Sequence, residues 1–278
     1  VLKQSIKAGL LGTPLSKSLS PEIFGIFAAM TGERLSYEPR ECGAGELAAV
    51  VRMLPAEGWA GFNVTIPHKR AVFSMLALAD PAARAVKAVN TVRFGRRGLE
   101  GANTDAAAVR AALEENSVQA AGRKAAVFGA GGSAGAAGWA LGRSGAAEVV
   151  FHARNRAAAD ALALDLAGVF PRTRFSAAGF EAPQGKPDIF VNATPLGMYQ
   201  PGRPPCAPGA GSACLDLAYA AGGTEFLAAA RADGAKVIDG LEVLVRQAAL
   251  SLRFWTGLPA GDIVEFNAEA LRRLREAK

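Results

Sequence analysis

The stretch GRKAAVFGAGGSAGAAGWALGRSGAAEVVFHARN, residues 122–155, leaves few folds open to this chain. A short apolar run ends at Phe128 and is followed by Gly129, Gly131 and Gly132. A segment of helical character starts near Ser133, and a second apolar run ends in FHARN. Strand, glycine turn, helix and strand within roughly thirty residues is the spacing of a βαβ unit that binds a dinucleotide. Glycine lets the backbone turn tightly and approach a pyrophosphate. The helix start then offers free amides and partial positive charge to the anion. Ala134 fills the third small-residue position of the fingerprint. Gly129, Ala130, Gly131, Gly132, Ser133 and Ala134 are therefore cofactor-binding candidates. The bland alternative in an Ala/Gly-rich chain is a flexible turn, and the flanking strands argue against it.

The tip of the second strand bears on which dinucleotide. An acidic residue there would take the ribose 2′-hydroxyl of NAD. Here Arg154 and Arg156 flank Asn155, and the next acidic residue is Asp160. A guanidinium pair suits a 2′-phosphate through charge-assisted bonds, so the expected cofactor is NADP(H). The competing reading is two solvated arginines on a loop. Thr194, in the NATP that ends a later strand, is expected to face the nicotinamide side or simply to cap its turn.

The 278 residues are half hydrophobic and one-fifth charged, with a formal charge of +6. That composition suits one large or two medium globular domains. The basic residues are scattered, so nucleic acid is not an expected partner. No apolar run has membrane-spanning length, and the N-terminus has no signal-peptide pattern. Cys42, Cys206 and Cys214 form no CxxC pair. They are read as free thiols of a cytoplasmic protein. Two isolated histidines and no acidic cluster support no metal site.

Upstream of the glycine turn, IKAGLLG reads as a buried strand. SPEIFGIFAAMTG reads as a helix capped by Ser20, SYEPREC as a strand, and AGELAAVVRMLPAEG as a helix. In GFNVTIPHKR, residues 61–70, Phe62, Val64 and Ile66 alternate with Asn63 and Thr65, the period-two pattern of a strand with one apolar face. Strands alternating with helices imply a mostly parallel sheet. A helix is expected over 106–115, and helices from 241 onward with a break near Trp255 and Gly257. The polar residues of this half are Ser16, Ser18 and Ser20 on one loop, then Asn63, Thr65, Lys69, Asn90 and Asp105. Hydroxyls, amides, an ammonium and a carboxylate suit a small polyhydroxylated acid. Hydride transfer to a ketone needs a proton for the developing alkoxide, which Lys69 can supply with Asp105 assisting. The dull alternatives are caps and turn supports, Asp105 capping the helix at 106 among them. His68 is expected to point away from Lys69.

The ordered set GTPLSKSLSP, GFNVTIPHK, AVNT, GANTD, GAGGSA, NATPLGM, DLAY and DGLEVLVRQA resembles the motifs of the shikimate dehydrogenase family almost end to end. The resemblance implies an α/β chain of two domains. Residues 1–105 would form an α/β substrate domain and 106–238 a Rossmann-type NADP-binding domain, with C-terminal helices, 239–278, returning to the first. It implies NADPH-dependent reduction of 3-dehydroshikimate to shikimate, a step of aromatic amino acid biosynthesis, by a monomer or homodimer. Carried over by residue, Lys69 and Asp105 would be the catalytic pair. Ser18, Ser20, Thr65, Asn90 and Gln247 would bind substrate, with Asn63 and Tyr219 nearby. Gly240 and Thr194 would join the glycine turn and Arg154, Asn155 and Arg156 in holding the cofactor. Lys17, Ala106, Ala221 and Val243 depart from the family pattern. They leave room for a quinate/shikimate dehydrogenase. Two further alternatives are a non-catalytic NADP-binding protein and a tetrahydrofolate-linked dehydrogenase, which the serine loop fits less well.

Overall fold

The structure, a computed structural model, describes residues 5–32, 34–220 and 222–276. The chain divides into two compact units. One comprises the residues up to Thr104 together with those from Val245 onward, and the other is Asp105–Leu244. The second crossing thus falls at 244/245, inside a helix, rather than at residue 239.

The first unit contains β1 (Ile6–Gly12), α1 (Ser20–Met30), β2 (Leu35–Glu41), α2 (Leu47–Met53), β3 (Gly61–Val64), α3 (Lys69–Phe73), β4 (Leu78–Ala79), α4 (Pro81–Val86), β5 (Thr91–Gly95) and β6 (Gly98–Ala102). Its sheet has the order β2-β1-β3-β5-β6-β4. β1 lies parallel to β2 and β3, but β5 runs antiparallel to both β3 and β6. The sheet is therefore mostly parallel, as expected, with β5 its antiparallel strand, since β4 lies parallel to β6. Only Arg96 and Arg97 separate β5 from β6, and a two-residue connection makes a hairpin and never a parallel crossover. β3 also stops at Val64, and Ile66 is 56% exposed. All four β3 residues are buried, so its alternation does not divide a wet face from a dry one. Ser20 is the first residue of α1, not its cap: Leu19 holds the cap position without a side-chain bond, and Ser18 Oγ accepts from the Ser20 amide at 3.3 Å.

The second unit is entered through α5 (Thr104–Glu115), which places Asp105 in the first helical turn rather than at the cap. There follow β7 (Lys124–Phe128), α6 (Gly132–Arg143), β8 (Glu148–His152), α7 (Arg156–Val169), β9 (Arg174–Ala178), β10 (Ile189–Asn192), β11 (Ala213–Asp216), α8 (Glu225–Ala232) and β12 (Lys236–Ile238). The order β12-β11-β10-β7-β8-β9 is parallel throughout. This is the doubly wound Rossmann order, and the strand order reverses between β7 and β10. Ligands bind outside the strand carboxyl ends at such a switch point. Here it is flanked by Phe128 and Asn192, which are register partners.

The chain ends in α9 (Gly240–Thr256) and α10 (Ala260–Glu276). Ile263, Phe266, Ala270 and Leu274 of α10 are buried at helical spacing. Phe266 meets Phe27 of α1 edge-on at 5.1 Å, and Trp255 Nε1 donates to the Val92 carbonyl at 2.9 Å. Together they fix the C-terminal helices on the first sheet. Among the described residues no helix is long and apolar enough to cross a membrane.

Candidate active site

In the first unit, the parallel pairing of β1 with β3 sets two loops side by side. Leu11 is the register partner of Val64. The loop after β1 carries Ser18 and Ser20, and Glu41 Oε1 holds it by accepting from the Leu15 amide at 2.6 Å. The chain leaving β3 carries Thr65 and Lys69. The Thr65 amide donates to the Leu11 carbonyl at 2.9 Å, the Thr13 amide to the Ile66 carbonyl at 3.0 Å, and Ile66–Pro67 is cis. Lys69 opens α3, and its carbonyl accepts from the Val89 amide at 3.0 Å, next to Asn90.

Asn90, Asn63 and Gln247 share one buried polar network. Asn90 Oδ1 accepts from the Thr104 amide at 2.7 Å, while its Nδ2 donates to Thr104 Oγ1 at 2.8 Å and to Gln247 Oε1 at 3.1 Å. Asn63 lies beneath. Its Nδ2 donates to the Asn90 carbonyl, Thr91 Oγ1 and Ser251 Oγ at 2.9–3.0 Å, and its Oδ1 accepts from Tyr37 Oη at 2.9 Å. Both amide hydrogens of Asn63 are thus committed inside the protein. Ser251 Oγ donates to the Gln247 carbonyl at 2.8 Å and ties α9 to this node.

In the second unit, the glycine turn stands at the carboxyl end of β7. Gly129 has φ +122°, and a Cβ there would lie 2.8 Å from the Ala193 carbonyl oxygen, so only glycine fits. Gly131 caps α6 with no side chain, and nothing lies within 4 Å of where its Cβ would stand. Gly132 and Ser133 begin the helix, and Ala134, in its first turn, is buried. At the tip of β8, Arg154, Asn155 and Arg156 are exposed. Asn155 Oδ1 caps α7 by accepting from Ala158 N at 3.0 Å. Arg156 Nε is 3.1 Å from the Asp160 carboxylate, so part of its charge is answered within α7. Thr194 follows β10 and donates from both N and Oγ1 to Asn192 Oδ1, at 3.1 and 2.6 Å. Tyr219 is half-buried after β11. Gly240 opens α9 against the carbonyl oxygens of Asp216 and Ala218; a Cβ would stand 2.6 Å from the former.

A shikimate dehydrogenase (NADP(+)) from Anaeromyxobacter sp. (strain K) is 40% identical over 257 residues, 91% of each chain. The chain belongs to the shikimate dehydrogenase family. The family's substrate-binding domain profile, described as "Shikimate dehydrogenase substrate binding domain", matches residues 10–92. Shikimate 5-dehydrogenase from Thermus thermophilus, in complex with NADP(H) and shikimate, has a TM-score of 0.81 at 31% identity, covering 96% of this chain and 99% of that one. Quinate dehydrogenase from Corynebacterium glutamicum, in complex with NAD, has a TM-score of 0.84 at 27% identity, covering 97% and 99%.

The residues where this shikimate dehydrogenase homologue departs from the family pattern sit quietly in the fold. Lys17 is exposed, Val243 is buried, and Ala106 is fully buried in the first turn of α5, where alanine favours helix. Ala221 lies outside the described residues. Three residues of the site were not singled out by sequence. His68 is 1% exposed and donates from Nε2 to the Cys42 carbonyl at 2.7 Å, anchoring the start of α3 beside Lys69. Ser251 lies inside a helix whose motif ends before it. Asp216 is wholly buried, accepting from Asn192 Nδ2 at 2.8 Å, Ala218 N at 2.9 Å and Thr224 Oγ1 at 2.6 Å. Burial pushes its carboxyl up to about 7 against those three bonds, with nearby Asp239 acting in the same direction as burial. A signal for Asp216 was present, since DLAY is one of the family motifs, but only its tyrosine carries an obvious ligand-binding group.

Proposed function

We propose that this chain is an NADP(H)-dependent shikimate dehydrogenase that interconverts 3-dehydroshikimate and shikimate. The observation that carries this reading is the joined node of Asn90 and Gln247 beside the β3–α3 junction, which delivers Thr65 and Lys69. Amides, a hydroxyl and an ammonium can hold the hydroxyls of a polyhydroxylated ring, and Ser18 and Ser20 on the neighbouring loop can take its carboxylate. Asn63 supports Asn90 from below. Tyr219 is carried over from the family motif as a further substrate-side residue.

The glycine turn fits a pyrophosphate, given the open space over Gly131 and the amides at the start of α6. Gly129, Ala130, Gly131, Gly132, Ser133 and Ala134 would hold the diphosphate. Arg154 would meet the 2′-phosphate with help from Asn155 and Arg156, and Thr194 and Gly240 would line the nicotinamide end. When bound, NADPH supplies the hydride. The Lys69 ammonium donates its proton to the ketone oxygen as that oxygen gains charge. In the oxidative direction the Lys69 amine takes the hydroxyl proton. Asp105 is the other member of the acid–base pair. The three cysteines are free thiols, which fits a cytoplasmic enzyme.

The test is absorbance at 340 nm with NADP⁺ and shikimate, repeated with quinate and with NAD⁺. Rapid reduction with shikimate and NADP⁺ alone is the expected result. Equal rates with quinate or NAD⁺ would replace this reading by a broader quinate/shikimate dehydrogenase, and no turnover with any pair would refute it.

A further inference from the structure

Asp216 ends β11 with no exposed surface and three neutral donors around its carboxylate. A buried carboxylate without a cation among those donors is costly to hold, so the donors it organises matter. Asn192 is the first. Its Nδ2 is turned to Asp216, which leaves its Oδ1 to accept both donors of Thr194. An Asn amide in apolar surroundings has two near-equivalent orientations, and a carboxylate accepts only from the nitrogen side. Thr194 Oγ1 in turn accepts from the Leu196 amide at 3.3 Å, and Asn192 Nδ2 also donates to the Leu196 carbonyl at 3.2 Å. Thr224 is the second. Its hydroxyl donates to Asp216 and accepts from Leu227 N, starting α8. Its Cβ and Cγ2 stand where they would limit any side chain at Gly197, whose φ is +84°. The loop of residues 193–200 is therefore fixed from two sides by one carboxylate.

We propose that Asp216 is a positioning residue for the cofactor: it fixes the Asn192 amide, and through it the Thr194 loop that receives the nicotinamide half of NADP(H). The proposal rests on the functional reading above for what that loop binds. It assigns Asp216 no contact with cofactor or substrate.

The experiment is NADPH fluorescence titration of the full chain and five variants, with melting temperatures alongside. Asp216→Ala and Asn192→Ala should each weaken NADPH binding about tenfold, the effect of losing one buried hydrogen bond. The double variant should be no weaker than the weaker single one, because both cut the same link. Asp216→Asn keeps an acceptor toward Asn192 and Ala218 and should bind within about twofold of wild type. Thr224→Val keeps the shape, loses the cap, and should lower the melting temperature without changing NADPH affinity. Should Asp216→Ala fail to fold, Asn192→Ala decides alone. Lowered melting temperatures with unchanged NADPH affinity in Asp216→Ala and Asn192→Ala would overturn the positioning role. A wild-type chain that binds no NADPH would overturn the functional reading as well.

Discussion

In the proposed reading, individual side chains carry the distinction between cofactor forms. Arg154 and Arg156 are chemically alike, but Arg156 already faces Asp160. Arg154→Ala should raise the KM for NADP⁺ by roughly tenfold or more, since charge-assisted bonds to a phosphate are among the stronger ones. Arg156→Ala should do less, and the KM for shikimate should stay put in both. Steady-state kinetics at fixed saturating shikimate checks this, and equal effects at the two arginines would contradict it. Asp216 makes a separate prediction in pH. Its folded-state carboxyl sits at about 7, above the ordinary carboxylate value. The folded chain therefore keeps a proton that the unfolded chain has lost. This group's contribution to stability is greatest below the unfolded value, declines as pH rises from about 4 to about 7, and is flat above. Urea melts of wild type and Asp216→Asn should show wild type losing more stability across that window; parallel pH profiles would count against the assignment. At this scale a sequence nominates side chains where a motif exposes a functional group, as at Lys69 or Asn90, and the Lys69→Ala assay below tests the first. The sequence is silent where the group works from inside: it assigns His68 no role, and His68 is buried and anchors the turn that starts α3 through the Cys42 carbonyl.

Secondary-structure elements divide into those with a local signal and those made by pairing. The glycine turn, β7, α6 and β8 were legible because their chemistry is contiguous in the chain. The β5–β6 hairpin was not, because TVRFGRRGLEGA has no sustained apolar alternation and its strands are held by register with each other and with β3. β9 escaped for a similar reason: RFSAA is half-buried at the sheet edge and gains its strand identity from β8. The extent of β3 was overread, since Ile66 continues the alternation in sequence but sits outside the strand. The C-terminal helices were legible as helices from their pattern, while their return to the first domain came from the family resemblance and not from the residues that make the contact. Phe266 buried edge-on against Phe27 shows what α10 contributes to the first unit. Phe266→Ala should cost about 3–5 kcal/mol of stability. Thermal or urea melts should register this with the KM for NADP⁺ little changed, and a loss under about 1 kcal/mol would mean α10 is not part of that core.

At the scale of the whole molecule, one chain supplies two kinds of chemistry from two compact units. The first unit offers ammonium, amides and hydroxyls from a mixed sheet, and the second a parallel sheet with a glycine turn at its switch point. Family membership follows from similarity along nine-tenths of the chain to relatives named for shikimate, and the quinate comparison at 340 nm tests the choice of substrate. The measurement that tests the central claim most directly is shikimate oxidation by Lys69→Ala with NADP⁺, paired with NADPH titration of the same protein. Loss of the proton-transfer group should lower kcat by about 10²–10⁴-fold and leave NADPH affinity unchanged. A near-normal kcat in Lys69→Ala would contradict the account.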